Sequence, residues 1–493
     1  MKVRHTPAAS DRTEAFHGND SALLGIVLSV ISFWLFAQTT LNIGPAIGQD
    51  IGAPPPLMNA AISLTALCAG MFIVAAGGLA DRFGRVRFAM AGNVLNIVGS
   101  LMVGIAFPGP VGIAMLLAGR SIQGLSSACV MPATLALIKT YWQGENRQRA
   151  VSIFSMGTWG GSGLASLFGG FMAASPLGWR SIFLVSAGVS IAAMLLLRQV
   201  PEDAPERSVR TAIDYPGIAS LAVFVLGLLL VVTQGPALGW RSWPTLLLLG
   251  ASVISLAVFI RVERATPRPL VDFSVFRNRV FAGATLSNLL INATAGLIPV
   301  SMWVIQDSAG WTTAQAGYLT IGYAVFILAF IRLGERLLQR FGARQPMVWG
   351  TLIVIASIAL LMLTPLPTRT YVVLTAISYC LYGLGLAFYA TPSTDTALAA
   401  LPTEKAGAGS GLYKMASSLG AAFGAAIPAS IYVAVSHNGV SFLSTMVPFP
   451  VPDDNLAVRE AGMLGLGATL LMALVALSFV YLVPRSAGTA LPD

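Results

Sequence analysis

Two cations stand inside stretches that are otherwise apolar. Arg120 lies in "LLAGRSIQGLSS" and Lys414 in "GSGLYKMASS". A lone cation in hydrocarbon is unfavourable by about 3 kcal/mol or more, so each must face a bundle interior, a water-filled cavity or a partner. Arg120 has two readings: a structural contact with carbonyls or with Gln123, three residues on, or a functional role inside the bundle. Lys414 has two as well. Its stem can snorkel to the membrane edge, or its ammonium can face a cavity. In the second case Arg120 and Lys414 together favour an anionic or carboxylate-bearing substrate, or Lys414 itself carries a proton. The acids Asp50, Asp307 and Asp395 fall near the ends of apolar runs, and Asp395, in "TPSTDTAL", is the most embedded. A coupled proton would have to ride on one of these or on Lys414. A third charged feature, "GGLADRFGRVR" at 77–87, crowds an acid and three arginines into one turn. Lipid cannot hold such a cluster, so the turn belongs at a membrane surface, with Gly77 and Gly84 allowing close backbone approach.

The elements that must position these residues follow from composition. The chain has 493 residues, 56% hydrophobic and 10% charged, far below the roughly 25% charge of a soluble protein. Roughly fourteen apolar runs reach the ~20 residues a span requires: 22–46, 57–79, 88–107, 111–138, 150–174, 180–198, 214–234, 243–262, 280–305, 314–335, 346–364, 370–398, 406–435 and 461–484. The net charge of +9 does not point to nucleic acid, because the basic residues are scattered between the runs. With both termini in the cytoplasm, most Lys and Arg fall on the inner side. Arg180, Arg241, Arg369 and Arg459 are expected in outer loops. Cys68, Cys129 and Cys380 lie within apolar runs and read as packing residues. His5, His17 and His437 lie in tails or an outer loop, so no histidine-based active site or metal centre is expected. No phosphate-binding loop is present, which argues against ATP-driven pumping.

The chain also repeats itself. "GERLLQRFGAR" at 334–344 echoes "GGLADRFGR" at 77–85, and "YGLGLAFYATP" at 382–392 echoes "QGLSSACVMP" at 123–132. The expected organisation is a cytoplasmic tail (1–21), a six-helix bundle (22–198), a linker with two extra transmembrane helices (199–279), a second six-helix bundle (280–484) and a cytoplasmic tail (485–493). Duplication of this kind places a substrate site between the halves and implies alternating access.

At these residues the chain resembles the major facilitator superfamily. "GGLADRFGR" fits the family's loop between spans two and three, and "LAGRSIQGLSSA" at 117–128 its fourth span. The finer resemblance is to the fourteen-helix branch of drug:proton antiporters, through 213–240, 263–281 and 401–424. It departs in three places. Ala37 stands where many members carry an acid, Ala165-Ser166 where the fifth span has Gly-Pro, and Lys414 and Ser417 where Asn and Arg are common. The resemblance implies an all-α integral membrane fold of two six-helix bundles plus two inserted helices. It implies a conformational latch at Gly77, Asp81, Arg82, Gly84 and Arg85. Coupling or substrate contact is expected at Arg120, Gln123, Lys414 and Asp395. By analogy the cavity is lined by Gln38, Thr39, Asn42, Trp159, Asn288, Asn292, Tyr379, Tyr382 and Tyr389.

The functional expectation is a secondary transporter, not an enzyme, without metal or cofactor. It would act as a monomer in a bacterial inner membrane and move an amphipathic organic compound outward with the proton as coupling ion. An anionic metabolite is the alternative substrate, and a non-transporting membrane sensor the alternative class.

Overall fold

The structure is a computed structural model that describes residues 16–202, 214–266, 273–438 and 455–485. The N-terminal tail to residue 15, most of the 199–213 segment and most of the 436–462 segment lie outside the described residues. Among the described residues, thirteen helices are long and apolar enough to cross a membrane. The expected fifth span is a fourteenth element, built as two helices around a π turn. Its apolar character is diluted by Gly160, Gly161, Ser162 and Gly163.

In chain order, α1 (Asp20–Ile31) runs through a π segment (Ser32–Phe36) and a 3₁₀ turn (Ala37–Thr39) into α2 (Thr40–Ile51). Then come α3 (Pro55–Phe83), α4 (Arg85–Gly104) and α5 (Pro110–Tyr141). The fifth span is α6 (Gly144–Ser155), the π turn Met156–Gly160 and α7 (Gly161–Ala174), followed by α8 (Arg180–Leu197). The inserted pair is α9 (Tyr215–Leu238) and α10 (Trp243–Ala265). The remainder comprises α11 (Arg279–Ala293), a 3₁₀ turn (Thr294–Gly296), α12 (Leu297–Ala309), α13 (Thr313–Tyr318), α14 (Ile321–Phe341), α15 (Arg344–Leu361), α16 (Thr368–Ala399), α17 (Ala406–Asn438) and α18 (Leu456–Val480).

The chain divides into two compact units. One comprises Met1–Ile218, Thr266–Asp272 and Leu401–Lys414; the other comprises Ala219–Ala265, Phe273–Ala400 and Met415–Asp493. Within the first, α3 and α4 both pack closely on α5; within the second, α14 and α15 both pack closely on α16. Small residues make this possible, because helices in lipid gain their association from close packing rather than from a hydrophobic driving force. A Cβ on Gly99 would lie 2.7 Å from the Gly119 carbonyl oxygen, and one on Gly350 would lie 2.5 Å from that of Gly385. The same glycine-on-glycine crossing thus recurs in both units. Phe36, Ile47, Ile51, Trp179, Ile182 and Phe183 pack into one buried cluster in the first unit.

One expectation is corrected here. Arg180, Arg369 and Arg459 are not in loops but in the first turns of α8, α16 and α18, and Arg459 is buried there. It donates to the carbonyls of Thr364 (2.6 Å) and Leu366 (2.7 Å) and to Thr368 Oγ1 (2.9 Å). Thr364 and Leu366 lie in the connection between α15 and α16, and Thr368 opens α16. In the first unit Arg180, at the start of α8, does the same for Ala106 (2.8 Å), after α4. It also pairs with Asp50.

Candidate functional site

The 77–87 turn is built by three helix ends. Asp81 is in the last turn of α3, Gly84 separates the helices at φ 116°, and Arg85 opens α4. Asp81 Oδ1 accepts from Arg85 Nε (3.0 Å) and Nη2 (2.9 Å). The same carboxylate accepts from the backbone of Gly407 (2.9 Å) and Ala408 (2.9 Å), the first turn of α17. An acid there satisfies orphan donors and meets the positive end of the helix dipole. Arg85, 4% exposed, also donates to Thr140 Oγ1 and to the Thr403 carbonyl. Arg85 is the guanidinium that reaches Asp81; Arg82 is half-buried beside it. Gly77 lets α17 come this near: a Cβ there would lie 2.3 Å from the Gly407 carbonyl oxygen.

A second carboxylate, absent from the sequence-based expectations, completes the turn. Glu202 accepts from the backbone of Val86 (3.0 Å) and Arg87 (2.8 Å), the first turn of α4. A side chain at Gly84 would meet that carboxylate at 2.5 Å. The sequence signal is a pair of acids, Glu202 and Asp203, directly after Pro201 and just past the sixth span.

Arg120 is 1% exposed on α5. Its Nε donates to the Ala61 carbonyl (3.2 Å), and Nη1 to the Ala37 carbonyl (3.0 Å) and Gln123 Oε1 (2.7 Å). Ala37 opens the 3₁₀ turn of the first span, so the helix break there lies against the guanidinium. Gln123 Nε2 in turn donates to Ser100 Oγ (3.0 Å), and Asn96 links the same region to Ser186 and Ser190. The arginine is therefore the hub of a polar network joining the first, second, third and fourth spans within one unit.

Lys414 does not snorkel. It is 7% exposed, and its ammonium lies 5.3 Å from the Phe154 ring centroid and 5.9 Å from that of Tyr413. Cations are attracted to aromatic faces at this range.

The proposed lining residues separate into groups. Gln38 and Trp159 are half-buried in the irregular parts of the first and fifth spans, and Thr39 is buried with its hydroxyl on the Phe36 carbonyl (2.6 Å). The side chain of Asn42 lies outside the described residues. Asn292 Nδ2 donates to Asn288 Oδ1 (2.9 Å), and Asn288 Nδ2 to Ser417 Oγ (2.7 Å), so the amides bind one another and α17. Tyr379, Tyr382 and Tyr389 have at most 1% exposure. Their hydroxyls meet Ser301 (2.7 Å), Thr294 (3.1 Å) and Ser287 (2.7 Å) along α11 and α12. They form a seam between α16 and the ninth span, because a phenol buried in an apolar bundle must find a hydrogen-bond partner.

Among the acids, Asp395 is completely buried near the end of α16. Asp50 accepts from Trp179 Nε1 (3.1 Å), and Asp307 from the Tyr432 hydroxyl (2.7 Å). Both are held at helix ends by neighbours in their own unit.

Comparison with known proteins adds to this geometry. The Major Facilitator Superfamily model matches residues 22–425. The chain is 45% identical over 435 residues to the quinolone resistance protein NorB of Staphylococcus aureus strain MW2, covering 88% of this chain and 93% of that protein. The strain MRSA252 protein gives 45% over 425 residues, with 86% and 90% covered. Among solved structures, the proton:xylose symporter XylE bound to 6-bromo-6-deoxy-D-glucose is similar, with a TM-score of 0.63 at 17% identity over 98% of each chain. The human organic anion transporter MFSD10 (TETRAN) gives 0.62 at 14% identity, covering 96% of this chain and 100% of that one. At such identities the structures speak to fold alone.

Proposed function

The chain belongs to the major facilitator superfamily, and on that premise we propose that it exports amphipathic organic compounds across a bacterial cytoplasmic membrane by alternating access, in exchange for protons. It is a multi-pass membrane transporter and not an enzyme. The observation that carries the reading is the 45% identity, over nearly the full length of both chains, to proteins named for quinolone resistance. In this reading both termini face the cytoplasm, in keeping with the distribution of Lys and Arg, and a single chain is the working unit. Asp81 and Arg85 act as the latch. Their bonds to the first turn of α17 hold one conformation, and breaking them releases it. Two six-helix bundles with the α9–α10 pair inserted between them remain the proposed domain plan.

A second reading, transport of a carboxylate-bearing compound, is favoured by Lys414. A buried ammonium against two aromatic rings suits a flat, acid-bearing molecule.

The test is reconstitution in liposomes with an imposed pH gradient, comparing cationic, zwitterionic and anionic aromatic dyes. Accumulation that follows the gradient supports exchange with protons. Equal flux with and without the gradient removes proton coupling. No net flux of any dye leaves a membrane sensor as the better description.

A further inference from the structure

The inserted helix α10 has two distinct faces. Ser252, Ser255, Phe259 and Glu263 are buried, and the two serine hydroxyls donate to carbonyls of α9: Ser252 to Phe224 (2.9 Å) and Ser255 to Ser220 (2.8 Å). The other face is bare. Only 22% of the helix's most apolar window is buried, the smallest share among the thirteen candidate spans. At the end of that bare face an open crevice is lined by Ala257, Ile260, Arg261, Arg264 and Ala265. Positions 257, 260, 261 and 264 recur at helical spacing, so they form one surface. Val253, 58% exposed, continues it into the apolar part of the helix. Neither guanidinium has a hydrogen-bond or ion-pair partner among the described residues.

We propose that this face of α10 binds one anionic phospholipid, its phosphate held by Arg261 and Arg264 and an acyl chain lying along Ile260, Ala257 and Val253. Dimensions and charge both favour it. From Val253 to Arg264 is about 16 Å along a helix axis, roughly half the ~30 Å hydrocarbon core and hence one leaflet. Two arginines without a partner among the described residues, at headgroup depth, complement a phosphate, and guanidinium groups bind phosphate with two parallel donors. An acidic protein segment would match the arginines but not the apolar track below them.

The site is read by native mass spectrometry of the full chain in detergent, titrated with phosphatidylglycerol or with phosphatidylcholine. Wild type is compared with the Arg261→Ala/Arg264→Ala and Arg261→Lys/Arg264→Lys double variants. Each arginine is expected to contribute about fivefold, so the alanine pair weakens phosphatidylglycerol binding roughly thirtyfold. The lysine pair stays within about threefold of wild type, because charge is kept while the bidentate geometry is lost. Phosphatidylcholine binds wild type and variants alike, and inorganic phosphate does not displace the lipid. Equal phosphatidylglycerol affinity in wild type and the alanine pair, or a tighter phosphatidylcholine complex, overturns the proposal. So does displacement by phosphate alone, which would mark a headgroup-only anion site. The lysine pair, which keeps both charges on an exposed face, separates loss of the site from loss of the fold. The outcome is independent of whether the chain exports drugs.

Discussion

Asp81 serves two donors of one helix and the guanidinium that opens another. Asp81→Ala leaves Gly407 and Ala408 uncapped and Arg85 without its carboxylate. Loss of the cap alone is unfavourable by about 1 kcal/mol. On the proposal that this contact is the latch, dye efflux from intact cells should fall at least tenfold (about 1.4 kcal/mol) while membrane expression is retained. Wild-type efflux would remove the latch. Arg120 presents a different case. Its three acceptors are spread around a planar fork, and a lysine cannot reproduce that geometry. Arg120→Lys should therefore lose thermal stability almost as fully as Arg120→Ala. Lys414→Ala tests the second functional reading: uptake of anionic dye into vesicles should drop several-fold, that of cationic dye should not, and the pH profile of transport should change. An unchanged rate and pH profile would return Lys414 to packing.

At the scale of elements, the irregular segments are the main surprise. Ser32–Phe36 and Met156–Gly160 are π turns in the first and fifth spans of the first unit, and Thr294–Gly296 is a 3₁₀ turn in the ninth. Single π turns concentrate at functional positions, and these fall beside Gln38, Trp159 and the Ala37 carbonyl bound by Arg120. Hydrophobic pattern carries no trace of them, since adding one residue to a turn inside an all-apolar run leaves the run apolar. The glycine crossings make a sharper prediction. Gly350→Ala places a methyl 2.5 Å from a backbone oxygen of α16, whereas Gly188→Ala meets nothing within 4 Å. Overpacking at the first should be unfavourable by about 1–3 kcal/mol and lower the melting temperature measured in detergent, while the second stays near wild type. If both variants melt alike, the close approach of α15 and α16 is not a stability determinant.

For the whole molecule, the span pattern and family were legible because each rests on local sequence: twenty apolar residues can do little in a bilayer but form a helix. The site was legible only in part. Arg120 and Asp81 stand out in the sequence because charge inside or beside an apolar run is conspicuous, and Gln123 because it follows Arg120 by three residues on one helix face. Arg459 was misplaced because apolar residues on its N-terminal side are too few to extend the predicted span, although α18 begins at Leu456. Glu202 was missed because its partner helix begins more than a hundred residues earlier in the chain. For Tyr379, Tyr382 and Tyr389 the sequence could not choose between a ligand and a neighbouring helix, because aromatic residues at helical spacing look alike in both settings; here their hydroxyls meet Ser301, Thr294 and Ser287.

The sequence by itself determined the number and order of membrane-crossing elements, the repeat, and which charges needed a partner, since all of these follow from transfer of side chains between water and lipid. Only the tertiary structure decided which partner each charge takes. Asp81 meets the start of α17, Arg120 meets carbonyls of two other spans, and the tyrosine hydroxyls meet serine and threonine across a helix seam. Such choices depend on which helices become neighbours and how closely their glycines let them approach, and neither quantity is written in any single stretch of chain.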